Sequence, residues 1–408
     1  MSNSTTPAAK PSRSVMFGAA FLMATSAIGP GFLTQTSKFT ATYGSNLIGV
    51  ILLVICMDII AQMNIWSVVS VSGMRAQDVA NKVLPGLGYV VAVLVAIGGL
   101  AFNIGNVGGV ALGMNAMFGL NERLGAIIAG CLGILIFVNK NAKTIMDKVA
   151  TILAAIILIT VTVVAVMSKP PVGEVVTHVI PDDFASMFAA MTTLLGGSCG
   201  GYIAFSGAHR LLDAGISGPE NVGHVRKSVL QGCGTSGIVR ILMFLAVLGT
   251  CGMAADNAAT ILAASNPAAE AFRLAAGSLG YRLFGLCLFS AGISSVVGAA
   301  FTSVSFLKTL HPTIAKYERQ FVIGFIAFST LVMAIMGGAA GLLVVAGAVN
   351  GLILPITLGT MLAASRNKSI VGENYKHPTI LIVLGIVVTL LAAYTGIKAV
   401  PSIMKLFA

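Results

Sequence analysis

Two short stretches hold most of the side chains that could bind a solute. The first, "AIGPGFLTQTSKFTATYG" at 27–44, places Thr36, Ser37, Lys38 and Thr40 shortly after a Gly-Pro-Gly break. The second, "TTLLGGSCGGYIAFSG" at 192–207, sets Gly197, Ser198, Cys199, Gly200, Gly201 and Tyr202 in consecutive positions. Hydroxyls both donate and accept hydrogen bonds, and an ammonium is a compact positive charge. Glycines let bare backbone N–H groups approach a ligand, and helix ends at a break add the positive end of the helix dipole. This chemistry suits a small anion. A divalent cation beside Lys38 would meet a like charge, which in a low-dielectric pocket costs several kcal/mol.

The elements that must position these residues are membrane helices. The 408-residue chain is 57% hydrophobic and only 9% charged, with a mean hydropathy of +0.96, far from the composition of a soluble domain. A membrane crossing needs roughly 20 apolar residues. Eleven stretches qualify: 15–43, 45–70, 87–117, 122–139, 143–168, 183–212, 235–254, 280–308, 319–337, 338–364 and 377–398. With the N-terminus inside, sixteen of the 24 Lys and Arg fall on cytoplasmic loops and six on outer loops, leaving Lys38 and Arg240 within spans. That asymmetry fits the positive-inside rule, and the expected location is the inner membrane with a disordered cytoplasmic segment at 1–14.

Several classes of function are excluded by what the sequence lacks. The net charge of +11 comes without a basic stripe interleaved with aromatics, so nucleic acid is not a partner. The six cysteines are scattered with no CxxC pair, which argues against a disulfide framework or a thiolate metal site. No GxSxG, HExxH or Walker-type loop occurs, and His178, His209, His224, His311 and His377 fall on loops or span ends. Neither an enzyme nor a cofactor is expected.

Breaks at membrane depth are tolerated where the freed backbone lines a cavity or is buried in protein. The two broken stretches lie in spans one and six, the corresponding members of two five-span halves, 15–168 and 183–364, followed by an eleventh span at 377–398. Paired interruptions of this kind mark the substrate site of an inverted-repeat secondary transporter. The glycines of "GNVGGVALG" in span three and "AGISSVVGAA" in span eight read instead as close helix packing.

The "GPGFL" run at 29–33, "SAGISSVVGAAFTSVSFL" at 290–307 and "NGLILPITL" at 350–358 resemble the natural-resistance-associated macrophage protein (NRAMP) family of divalent-metal transporters. The resemblance implies an all-α LeuT-type fold of two inverted five-helix repeats with helices one and six broken. It also implies a metal bound by an Asp and an Asn of a DPGN motif and a Met of an MPH motif, neither of which is present here. Ile293 stands where the span-eight pattern has glutamine, Cys199 is the one soft ligand left, and span three offers Asn103 and Asn106 where the family's proton route has acidic groups. The sole acidic residue within a span is Asp58, whose partner would be Lys38 or Arg240. Arg240 reads as a topology anchor near the cytoplasmic start of span seven, and His209 with Arg210 as a vestibule or anchors. The expected cargo is therefore a small inorganic anion, bicarbonate ahead of nitrate, formate or chloride, with a Mg2+ or Mn2+ carrier as the alternative. The coupling ion is left open.

Overall fold

The computed structural model describes residue 20 and residues 23–139 and 155–404. The 1–14 segment and the opening residues of spans one and five lie outside this set, as do Lys140, Lys143 and Lys148. Among the described residues the secondary structure is helical throughout. The main elements are α1 (Pro30–Tyr43), α2 (Leu47–Ser72), α3 (Leu87–Phe118), α4 (Glu122–Val138), α5 (Ala155–Met167), α6 (Phe188–Cys199), α7 (Ile203–Asp213), α8 (Val222–Met253), α9 (Pro267–Leu307), α10 (Glu318–Met336), α11 (Ala339–Ser365) and α12 (Thr379–Met404).

Among the described residues, eight stretches are long and apolar enough to cross a membrane on their own. One of these joins α1 to α2 through the single turn Gly44–Asn46, and another joins α6 to α7. With the shorter α4 and α5, the helices follow the eleven-span order read from the sequence. Large apolar side chains such as Ile97, Leu135, Val166, Leu331, Ile335 and Leu390 stand exposed on the outside, as a lipid-facing belt requires.

Helix boundaries follow local chemistry. α2 ends at Gly73, whose left-handed backbone (φ 63°) lets its N–H reach the carbonyls of Val69 and Ser70. The division between α10 and α11, only two residues long, is made by Gly337 and Gly338, both at φ 66°. α9 starts on an Asn266 cap that accepts from the Ala269 N–H and bends at Ala276–Gly277. α8 and α9 run further than hydropathy predicts, because their charged ends continue as helix outside the apolar windows.

Packing is closest where glycines let backbones touch. Among the described residues, α3 lies against α9 in the most extensive helix contact, with Gly113 facing the Gly285 carbonyl and the Phe289 backbone at 2.6 Å from where a Cβ would sit. Gly109 faces Pro30, so the span-three glycines do seat the first broken helix. Gly196 of α6 meets the backbone of Gly347 and Gly351 in α11 in the same way. The apolar interior forms one cluster around α2, α6, α7 and α8 and a second around α3, α4, α9 and α10.

Candidate functional site

The first interruption is shorter than its polar sequence implies. Helix runs to Ala27, only Ile28 and Gly29 are non-helical, and α1 then continues unbroken from Pro30 to Tyr43. Proline is well suited to that first helical position because its missing N–H has no acceptor there anyway. The second interruption is the Gly200–Gly201–Tyr202 turn, with Gly201 at φ 55°. Thus Gly200, Gly201 and Tyr202 lie where the sequence placed them, at a break.

The remaining expected ligands do not converge there. Lys38 is nine residues beyond Gly29 on a continuous helix, about 13 Å along the axis at 1.5 Å per residue, and it is only half-buried. It sits near the end of α1, where the Tyr43 hydroxyl donates to the Ser186 carbonyl. The proposed cation at the break is therefore corrected: helix propagation from Pro30 carries it away. The hydroxyl donors are also committed. Thr36 donates to the Phe32 carbonyl (2.8 Å), Ser37 to Leu33 (2.8 Å) and Thr40 to Thr36 (2.7 Å), while Ser198 donates toward Leu194 (3.2 Å). Each bonds its own helix four residues back, a common use of hydroxyls in apolar surroundings. Cys199 turns toward Asp58, and Gly197 packs against Gln35.

What surrounds the interruptions is a neutral polar set. A methyl placed on Gly29 would lie 3.3 Å from Ser295 Oγ and 3.6 Å from Asn106 Oδ1. Asn106 also lies beside the Tyr202 hydroxyl, so this one α3 side chain touches both breaks. The Tyr202 ring meets Phe102 edge-on, with centroids 5.9 Å apart. Asn350 of α11 donates to the Gly98 carbonyl (2.9 Å) and the Ala346 carbonyl (2.8 Å), which fixes its amide so that Oδ1 faces Gly98 and Gly201. Gln35 is fixed likewise: Nε2 donates to the Leu343 carbonyl (2.7 Å) and Oε1 faces Gly197. The unpartnered buried atoms here are mainly oxygens, namely Gln35 Oε1, Asn350 Oδ1, Ser295 Oγ and Ser303 Oγ, together with Asn106 Nδ2. Among the described residues no cluster of three or more His, Cys, Asp or Glu side chains could hold a metal ion.

The sequence named Asn106 but gave it no role at the site, and it passed over Gln35, Ser295 and Asn350 as solute-facing groups. The available signal was an amide in an otherwise apolar span, as at Asn350 in "AVNGLIL".

A model of natural resistance-associated macrophage protein-like proteins matches residues 20–400. The chain belongs to that family. Relatives include the uncharacterized membrane protein YcsG of Bacillus subtilis (strain 168), 50% identical over 386 residues covering 94% of this chain and 93% of the relative. An uncharacterized membrane protein of Haemophilus influenzae is 46% identical over 396 residues, covering 97% and 98%. A mutant of the Eremococcus coleocola manganese transporter superposes with a TM-score of 0.73 at 16% identity, over 98% of this chain and 90% of that one. MhsT in complex with L-phenylalanine gives 0.66 at 14% identity, over 95% and 98%. At those identities the solved structures establish the fold: that of NRAMP and LeuT-type transporters, with helices one and six broken. This NRAMP-like chain is accordingly a multi-pass membrane transporter.

Two further sequence readings are corrected. Arg240 is no topology anchor: it is 1% exposed in the middle of α8, with its guanidinium over the Phe32 ring at 4.1 Å. His209, read as lining a vestibule or as an anchor, is instead buried in α7 between Phe205 and Phe306 and accepts the Ala76 N–H at 3.2 Å. Arg210 does stand exposed beside it.

Proposed function

We propose that this chain is a secondary-active transporter of a hard divalent cation, Mg2+ or Mn2+, which passes between the two interruptions by alternating access. The observation that supports this cargo is the oxygen-rich, uncharged lining around Asn106, Tyr202, Ser295 and Asn350. Hard cations take oxygen ligands, and Mg2+ in particular keeps several of its waters. Without a carboxylate in the lining, the ion enters as a partly hydrated species held through amide and hydroxyl oxygens. Membership of the NRAMP-like family and the fold shared with a manganese transporter favour this cargo over an anion. The two repeats, 15–168 and 183–364, rock against each other around the site, in an inner membrane with the N-terminus cytoplasmic.

A small monovalent anion such as bicarbonate is the second reading. It keeps one specific observation: α1 opens at Gly29, whose first-turn N–H groups point into a neighbourhood that includes Asn106, a side chain with an unpartnered Nδ2. Uptake of radioactive Mn2+, Mg2+ and labelled bicarbonate into proteoliposomes decides between them. Saturable Mn2+ or Mg2+ uptake that falls in Asn106→Ala supports the first; saturable bicarbonate uptake with no response to either cation overturns it.

A further inference from the structure

Asp58 and Arg240 are ionisable groups buried inside the bundle, 3% and 1% exposed, and nothing in the cargo site uses them. Arg240 sits on α8, yet its two contacts fall one on each interrupted span. Nη1 donates to the Leu194 carbonyl of α6 at 3.1 Å, five residues before Cys199 ends that helix. The guanidinium plane also lies over Phe32 of α1, three residues after Gly29. Arg240 Nε and Nη2 have no partner. Across from it, Asp58 of α2 accepts from Gln62 Nε2 at 2.5 Å. The groups facing this carboxylate are Gln62 on its own helix, Arg240 and Cys233 on α8, and Cys199 on α6. Asp58 and Arg240 attract each other without forming a contact ion pair within 4.0 Å. The charge is thus balanced but not locked.

We propose that Asp58 carries the proton that couples cargo movement to a pH gradient, with Arg240 as its movable counter-ion; this rests on reading the chain as a secondary-active transporter. A buried carboxylate without its counter-charge is costly and neutralises by taking a proton. Arg240 is held by one contact to each interrupted helix, so a swing of α1 and α6 releases it from Asp58. The carboxylate then accepts a proton from water on the open side. When the helices return and Arg240 comes back, the proton leaves to the other side. The side-chain hydrogen bond between spans three and nine, Asn103 Nδ2 to Ser329 Oγ at 3.1 Å, joins two neutral groups.

Trp66, the sole tryptophan, provides a readout that needs no cargo. It lies on α2, and its Nε1–H donates to the Ala204 carbonyl at 2.9 Å, just past the second interruption. The full-length protein in lipid nanodiscs is titrated with pH while Trp66 fluorescence is followed. The wild type is expected to give a sigmoidal transition that persists in H377Q, disappears in D58N and returns with a displaced midpoint in D58E. A flat wild-type curve, an unchanged D58N curve, or, should D58N not fold, an undisplaced D58E midpoint overturns the proposal. In proteoliposomes with Mn2+ as probe, one pH unit of gradient multiplies wild-type accumulation by up to about tenfold per proton and leaves D58N accumulation unresponsive. D58N accumulation that still follows the gradient also overturns it. If the wild type takes up neither Mn2+ nor Mg2+ while the Trp66 transition depends on Asp58, the cargo reading fails and Asp58 stands as the proton-binding group.

Discussion

The orientation of the Asn350 amide yields the sharpest stability prediction. Its two N–H bonds, 2.9 Å to Gly98 and 2.8 Å to Ala346, tie α11 to α3 and to itself at a position 0% exposed. Both acceptor carbonyls lie inside helices and keep their own backbone bonds, so Asn350→Ala leaves no orphaned carbonyl. Its cost is two hydrogen bonds at about 0.5–1.5 kcal/mol each, plus a small void beside Gly201. Asn350→Asp has the same shape but offers oxygen to both carbonyls. An ionised carboxylate there is unpaired, and a protonated one can donate to only one of them, adding about 1–3 kcal/mol for the unmet contact. With an unfolding entropy of about 2.1 cal/mol/K per residue, each kcal/mol moves the midpoint of a 408-residue chain by about 1 °C. Thermal melts in detergent, read by size-exclusion with fluorescence detection, should rank wild type above N350A and N350A above N350D, with about 1–3 °C at each step. N350D melting at or above N350A would show that the amide does not face the way the hydrogen bonds require.

Four further outcomes follow from the same contacts. Gly196→Ala forces a methyl into the backbone of Gly347 and Gly351, whereas Gly298 has nothing within 4 Å; folded yield should collapse in the first and hold in Gly298→Ala. Lys38→Ala should leave Mn2+ uptake near wild type, because Lys38 is half-buried and stands well away from the first break; complete loss of uptake would restore it to the site. Arg240→Met strands Asp58 and should destabilise by about 3 kcal/mol, with much of that recovered in the D58N/R240M double variant; additive melts in this cycle would deny the coupling. The His377 imidazole, bonded to Tyr375 and to Asn64 at 2.9 Å each, is pushed down to about 4 by burial and then by Arg226. The unfolded chain binds this proton below its ordinary value of 6.5 and the folded chain does not. Its contribution is therefore present above 6.5 and declines as pH falls toward 4, so acid melts of H377Q should drop less steeply than those of the wild type.

Several site features were legible because they depend on local backbone chemistry. Gly-Pro-Gly and the Gly200–Gly201 pair mark breaks wherever they fall in an apolar span, and the structure interrupts spans one and six there. Polar residue counts were less informative. Thr36, Ser37, Thr40 and Ser198 carry suitable atoms, but a hydroxyl in an apolar helix finds its own i−4 carbonyl first. An anion site built on their type alone therefore lost its donors, and Lys38 left the site once α1 proved continuous.

By itself, the chain determined its class and its span order, because transfer of apolar side chains into hydrocarbon and the penalty for unpaired backbone groups act on each segment separately. It also determined where two of those segments must break. Tertiary structure alone decided which polar atoms remain free to meet a solute. Asn106 reaches both breaks, Asn350 and Gln35 turn their oxygens inward, and Arg240 rests on α1 and α6, since each of these depends on a partner from 46 to more than 300 residues away in the chain. No local pattern encodes such contacts: they arise from close packing at glycine-lined crossings, where a shift of one helix would bury a different set of atoms.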